Sequence, residues 1–595
     1  MTSRTDPRGK NTNYGYDAAG NMVSQSDPLG KIWQYTYDQN NNLLSVVTPD
    51  SRTTQYQYDA LNRRTRTIYS NSTNITYTYD ANSNLTMMVD NVGATMYQYD
   101  AANRLTQLTD PFGNIVSYTY DRAGNRTSVK YPGNRTANFA YDTAERMSTA
   151  TDWGNRTATY TYNLSDQVTR LVHGNASTAD YTYDTAGRLT SLINKRPNGT
   201  VISSHTHTLD QHGNITQADE VLPLQPTLTP RTKRWSVDAS NRVLSDAVSS
   251  DSFEHDTAGR MIRQVMNGVT TNFAYNDLDL LTTLTSPART ESYRYNGHGH
   301  RIERTVNGVA SRYLVEPNGT MPNMLAELSN TNNPQRFYVH GANGLLSQID
   351  AAGNYHAYHF APIGNTTALT DAAGNVSDTY AYLPYGETFA GAGNATTNPF
   401  KFVGRFGVMD EGNGLQYMRA RYYKPDAGRF MSLDAIAGNS DEPQSLNRIA
   451  YTHGNPISGN DPSGLCNPQF ASCPTQVNNC YLANITCDEI SDLSSRVDQR
   501  NFFWNADPFQ KHSVVSESYK ISKTSIVVSN KPVVQTVKID TLTVKVKSKP
   551  SVNVPSKKTV VITTVKNTPQ LTQHYSGVRI GISLVHPFVE AGIEY

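Results

Sequence analysis

The stretch YQYDAANRL, Tyr97 through Leu105, decides how this chain is read. Tyr97 and Tyr99 alternate at the period of a β-strand, so both rings fall on one face. Asp100 and the following Ala-Ala-Asn supply side-chain-to-backbone bonds and a residue that tolerates positive φ, which makes a tight turn. Leu105-Thr-Gln-Leu108 then returns as a second short strand. The stretch therefore encodes a β-hairpin, and one hairpin buries too little to stand alone.

Outward from this unit the pattern repeats. YGYDAAGNM begins at Tyr14, YTYDQNNNL at Tyr35, YQYDALNRR at Tyr56 and YTYDANSNL at Tyr77. YTYDRAGNR follows at Tyr118, FAYDTAERM at Phe139, YTYNLSDQV at Tyr160 and YTYDTAGRL at Tyr181. The step is 21 residues, with a single step of 20. Weaker copies start at Trp235, Phe253, Phe273 and Tyr293. Stacked hairpins share one continuous sheet, so the repeat tyrosines are expected to be packing elements before they are sugar-binding platforms.

Composition agrees with this. Only 37% of the 595 residues are hydrophobic, yet 37 are tyrosines, which bury ring area while the hydroxyl stays hydrogen-bonded. A net charge of +1 does not mark the whole chain as a polyanion binder. No apolar run reaches the roughly 18 to 20 residues of a membrane helix, and the first residues lack the apolar stretch of a signal peptide. Export is expected to bypass a cleavable leader. Alternatively sequence is missing upstream, because the chain opens part-way through a repeat.

From Tyr380 a glycine-punctuated segment replaces the repeat and ends at ISGNDPSGLC, residues 457–466. Taken alone, Asp461-Pro-Ser-Gly464 is a β-turn, with Asp, Pro and Gly at their favoured positions. Beyond it the tyrosines thin out and the four cysteines appear at Cys466, Cys473, Cys480 and Cys487. That even spacing is not the paired spacing of a zinc site, and no cofactor or metal is expected anywhere in the chain.

The repeats, with the ordered pieces PYGE, FVGR, GLQYMRARYY, GRFMSLD, SLNRIAY and DPSGL between Pro384 and Leu465, resemble the Rhs and YD-repeat family and its repeat-associated core. The resemblance covers roughly residues 10–465. It implies an all-β fold: YD hairpins forming a long spiralling antiparallel sheet that closes as a hollow shell over residues 1–379. The core, residues 380–465, would plug the end of that shell and carry an aspartyl-type self-cleaving site. Residues 466–595 would be a variable, toxin-like tip, mostly β with a short helix.

On this resemblance the cut falls after Leu465, before Cys466, with Asp461 and Asp434 as the carboxylate pair. Two close carboxylates cannot both ionise, so one serves as acid and the other as base. Arg448 is the expected donor that orients a carboxylate or polarises a carbonyl, and Asp441 is a weaker alternative partner. Relatives commonly have Asp-Pro where this chain has Asp434-Ala435, which alters the local turn but keeps the carboxylate. A nucleophilic role for Cys466 ranks below this route, since Thr452-His453-Gly454 holds the only histidine nearby.

The tail carries eleven lysines between Lys511 and Lys566 against Glu517 and Asp540. Its alternating Val, Thr and Lys predict strands with one basic face. Such a face suits nucleic acid or an anionic membrane, and equally suits solvated edge lysines that block aggregation. Cys480 and Cys487 fall on one face of a short helix as small core residues, and two disulfides could form in an oxidising compartment. No nuclease, protease, deaminase or ADP-ribosylating motif is present.

Two functions follow. One is a carrier that encloses and self-releases its tip, with a second shell subunit or a secretion-system delivery protein as partner and a cognate immunity protein for the tip. About eighteen hairpin units is short for a shell to close alone, since repeat arrays need caps. The other is an uncleaved cell-surface or wall-associated protein that binds carbohydrate.

Overall fold

The computed structural model describes residues 2–6, 8–228, 230, 232–317, 321–391, 394–436 and 443–465, together with four short strands further on. Among the described residues there is no α-helix; strands and three 3-10 turns make up the regular structure.

The repeat's chemistry is visible in one unit. Strand Ala94–Tyr99 pairs antiparallel with Leu105–Thr109, Tyr97 facing Leu108. In the turn between them Asp100 Oδ1 accepts from the backbone N–H of Ala102 at 2.9 Å and of Arg104 at 3.0 Å. Asn103 sits at φ 59°, where Asn and Gly are favoured. Arg104 closes on Asp100 Oδ2 at 2.7 Å and reaches the Asp121 carbonyl of the next turn at 2.8 Å. Its guanidinium also lies over the Tyr120 ring.

The two tyrosines divide the labour. The first is buried, as at Tyr56, Tyr77, Tyr97, Tyr118 and Tyr160. The second donates its hydroxyl to a carbonyl of the preceding unit: Tyr99 to Leu85, Tyr120 to Leu105, Tyr141 to Arg126 and Tyr183 to Val168. Each repeat is thus stitched to its neighbour by a side-chain bond beside the strand ladder.

Within each of the two long sheets every strand pairs with the next in sequence, as in the hairpin stack anticipated above. A 21-stranded sheet runs from Ser3–Thr5 to Ile215–Val221 and a 16-stranded sheet from Trp235–Val237 to Thr388–Ala390. The second lies along the first in the same sense. Arg8 bonds the Ala239 carbonyl, Asp90 takes the Gly297 N–H, Tyr131 donates to the Tyr338 carbonyl and Asn175 to that of Asp371. These partners stand 231, 207, 207 and 196 residues apart, so the strip coils and its second coil docks on its first. The core is shared across that seam: Trp153 packs edge-on to Tyr131 and to Phe337, and Arg126 pairs with the fully buried Glu316. The result is a β-shell wall.

Strand Val376–Tyr382 runs through residue 380 and pairs with Thr388–Ala390, so the wall extends past the point where the repeat pattern stops. A small sheet follows, of Met409–Asp410, Gln416–Met418, Arg421–Lys424 and Arg429–Phe430. It is bolted to the wall by Arg301, fully buried, which bonds Glu411 at 2.7 Å and the Tyr422 hydroxyl at 2.8 Å.

Met1–Lys511 and His512–Tyr595 form separate units. In the latter, Thr536–Lys538 pairs with Val561–Thr563 and Ile580–Ile582 with Ala591–Ile593. The helix expected around Cys480 and Cys487, the four cysteines and Asp441 lie outside the described residues.

Candidate active site

Strand Arg421–Lys424 is buried at every position. A cation in such a strand needs acceptors at hand, and Arg421 has them. Its Nη2 stands 2.7 Å from Asp434 Oδ2 and 3.5 Å from Asp461 Oδ2. One guanidinium nitrogen therefore gathers the two carboxylates that the sequence singled out. Nη1 of the same group bonds the Arg448 carbonyl at 2.8 Å, and Nε bonds the Gly464 carbonyl. The guanidinium lies over the Phe430 ring, 3.6 Å from its centroid.

Asp434 follows the edge strand Arg429–Phe430 and is held by its neighbours. Its Oδ1 accepts from the Ile436 N–H at 2.8 Å, and its own N–H donates to the Arg448 carbonyl at 2.8 Å. Ala435 fits within this side-chain-closed turn. Burial pushes the Asp434 carboxyl up to about 7 against the pull of Arg421, and the nearby Asp461 adds to the rise.

Asp461 is buried and opens the turn expected of Asp-Pro-Ser-Gly, with the Gly464 N–H 3.3 Å from its carbonyl. Its Oδ1 accepts from Ser463 Oγ at 2.9 Å and from the Leu465 N–H at 3.1 Å. Leu465 is itself buried within the hydrophobic core. Gly464 has φ 71°, and a Cβ there would lie 2.4 Å from the Met418 carbonyl. Turn and carboxylate cluster are thus one structure.

Arg448 stands beside the pair, with its guanidinium bonded to the main-chain carbonyl of Asp434 through Nε at 2.7 Å and through Nη2. It braces the loop, while Arg421 meets the carboxylates. Sequence reasoning missed Arg421. The available signal was a charged residue inside the aromatic run QYMRARYY, where a strand buried on both faces must supply a partner. Cys466 lies outside the described residues. Among the described residues no cluster of His, Cys, Asp and Glu is arranged to hold a metal ion.

Comparison with known proteins places this geometry in context. The RHS Repeat family model matches residues 1–32, 17–51, 37–73 and 99–136, and the Teneurin YD-shell model matches 226–458. The tRNA3(Ser)-specific nuclease WapA of Bacillus spizizenii is 29% identical over 236 residues, 38% of this chain and 10% of that protein. Double-stranded DNA deaminase toxin A of Burkholderia cenocepacia is 29% identical over 243 residues, 38% of this chain and 16% of that protein. The chain thus matches only a small part of either relative's length. The TcdB2-TccC3-TEV crystal structure superposes with a TM-score of 0.56 over 78% of this chain and 30% of that one, at 16% identity. That likeness is one of fold.

Proposed function

Because the chain belongs to the Rhs/YD-repeat family, we propose that it is a toxin carrier whose β-shell encloses the C-terminal region and frees it by cutting after Leu465. The observation that carries this is the single guanidinium of Arg421 joining Asp434 to Asp461, with Leu465 buried beside them.

In the proposed reaction Asp434 is the acid. Its raised carboxyl holds a proton near neutral pH and gives it to the Leu465 carbonyl oxygen. Asp461, facing the same Arg421 nitrogen, is the base and takes a proton from water as the water oxygen attacks the carbonyl carbon. As the gem-diol collapses, a hydroxyl proton returns to Asp434, the Leu465–Cys466 bond breaks, and the leaving nitrogen takes the proton that Asp461 had accepted. Arg448 serves by fixing the Asp434 main chain.

The relatives, a tRNA nuclease and a DNA deaminase toxin, fit a shared container with differing cargo. The tip's own activity, its immunity protein and any contact with nucleic acid or membrane rest on residues outside those described. A second shell subunit or a delivery protein is proposed because the likeness of fold is to a TcdB2-TccC3 structure, and delivery to a target cell follows from the same reading. The carbohydrate alternative gains no support from the repeat, whose first tyrosines are buried in the core.

Expression of the full chain followed by intact-mass measurement tests the proposal. A fragment beginning at Cys466 that vanishes in Asp434→Asn and Asp461→Asn is expected. An uncut chain would overturn it.

A further inference from the structure

Arg419 occupies a position that ordinarily selects against it. It forms part of the tight link between Gln416–Met418 and Arg421–Lys424, where Met418 pairs with Arg421, and its φ is 55°. Glycine or asparagine holds such a conformation at less cost, so strain at an arginine points to a need for its side chain.

That side chain is buried and its hydrogen bonds go to main-chain carbonyls. Nη1 bonds that of Pro462 at 2.7 Å and Nη2 that of Phe406 at 2.7 Å, while Nε and Nη2 reach that of Pro322 at 3.2 and 3.0 Å. Gly407 leaves the slot for it: a Cβ there would lie 2.6 Å from Nη2. The next two residues continue the series. The Ala420 N–H bonds the Ser463 carbonyl at 3.1 Å, and Arg421 Nε bonds the Gly464 carbonyl. Three successive carbonyls ahead of Leu465 are therefore each held by one of three successive residues.

We infer that Arg419-Ala420-Arg421 is a built-in substrate clamp that reads the main chain of residues 462–464, and that Arg419 is a positioning residue tying it to the shell wall at Pro322. This rests on the self-cleavage reading above. It assigns a specificity: the chain ahead of the cut is recognised by its carbonyls, with position 464 restricted to glycine by the Met418 carbonyl. Arg419 is bonded to main-chain carbonyls and acts by setting where the scissile bond lies.

The test is pulse-labelled cell-free synthesis of the full chain, following cleavage by gel and intact mass across pH. Arg419→Gln is expected to slow the cut by about ten- to a hundredfold, the cost of an ångström-scale misplacement. Arg419→Lys should recover part of the rate, since one ammonium still reaches a carbonyl. The pH midpoint of the rate should stay put, and amide-exchange protection of Ala94–Tyr99 and Arg301–Val306 should match the unsubstituted chain. A wild-type rate in Arg419→Gln overturns the clamp, as does slowing accompanied by lost protection in those strands or by a shifted midpoint. If the unsubstituted chain itself stays intact, the self-cleavage reading falls; if it is cut and Arg419→Gln is cut equally fast, only the clamp falls.

Discussion

The Arg421 guanidinium meets Asp434, Nη2 to Oδ2 at 2.7 Å, and the same nitrogen stands 3.5 Å from Asp461 Oδ2. Removing that cation leaves two carboxylates facing each other in a dry site. Arg421→Gln is expected to leave both protonated near neutral pH, because an unpaired buried charge costs several kcal/mol. Self-cleavage should then stop, and intact mass of the purified chain would reveal the cut fragment if it does not.

The acid role of Asp434 fixes a pH dependence. Its carboxyl is raised to about 7 by burial, so the donating form is present below that value and lost above it. The cleavage rate should therefore fall as pH rises through about 7. Time courses between pH 5.5 and 8.5 check this, and a rate that climbs across the interval would reverse the assignment of acid and base.

Gly464→Ala should block the cut without disturbing the wall. The residue sits at φ 71° with the Met418 carbonyl where a Cβ would go. A side chain in the left-handed region costs roughly 1–2 kcal/mol before any clash. Seating of 462–465 against residues 418–421 is expected to fail, giving full-length chain on a denaturing gel with an unchanged far-UV spectrum.

How much of this the sequence disclosed depends on how local the physics is. The hairpin at Tyr97–Leu105 was readable because alternation, the Asp100 turn and the positive φ of Asn103 depend only on near neighbours. The seam was not: Tyr131 meets Tyr338 and Arg126 meets Glu316 through the pitch of a coil, which no single repeat encodes. Asp434 and Asp461 were named through resemblance to a motif. Arg419 and Arg421 were passed over because their acceptors are distant in the chain, and two are plain carbonyls of the segment to be cut. Arg448 lies beside the pair, and its fork meets the main-chain carbonyl of Asp434, where orienting a carboxylate or polarising a carbonyl was the expected role.

The second tyrosine of each unit can be tested directly. Tyr99→Phe removes one hydroxyl bond to the Leu85 carbonyl and keeps the ring. The loss should be about 1 kcal/mol. It should be confined to Leu85–Val89, where amide exchange ought to quicken several-fold. Tyr97→Ala, which empties a buried ring site, should cost about 3–5 kcal/mol and spread to neighbouring strands. Equal effects from the two substitutions would contradict the division of labour between the tyrosines.

The seam carries its own response to acid. His173 of the first coil and His359 of the second are buried with ring centroids 4.9 Å apart. Burial pushes His173 down to about 4 and His359 well below its usual value, and the neighbouring His173 lowers His359 further. Hydroxyls of Ser177 and Thr370 face His359, and burial is the leading cause at both rings. A histidine depressed on folding contributes stability that is complete above its unfolded value near 6.5 and is lost as pH falls toward the folded value. The contact between coils should therefore weaken between about pH 6.5 and 4. Trp153, which packs on Phe337 across the same seam, offers the readout, and its emission should shift on acidification. In the paired His173→Gln, His359→Gln chain that shift should move to lower pH; an unmoved transition would assign the acid response to other groups.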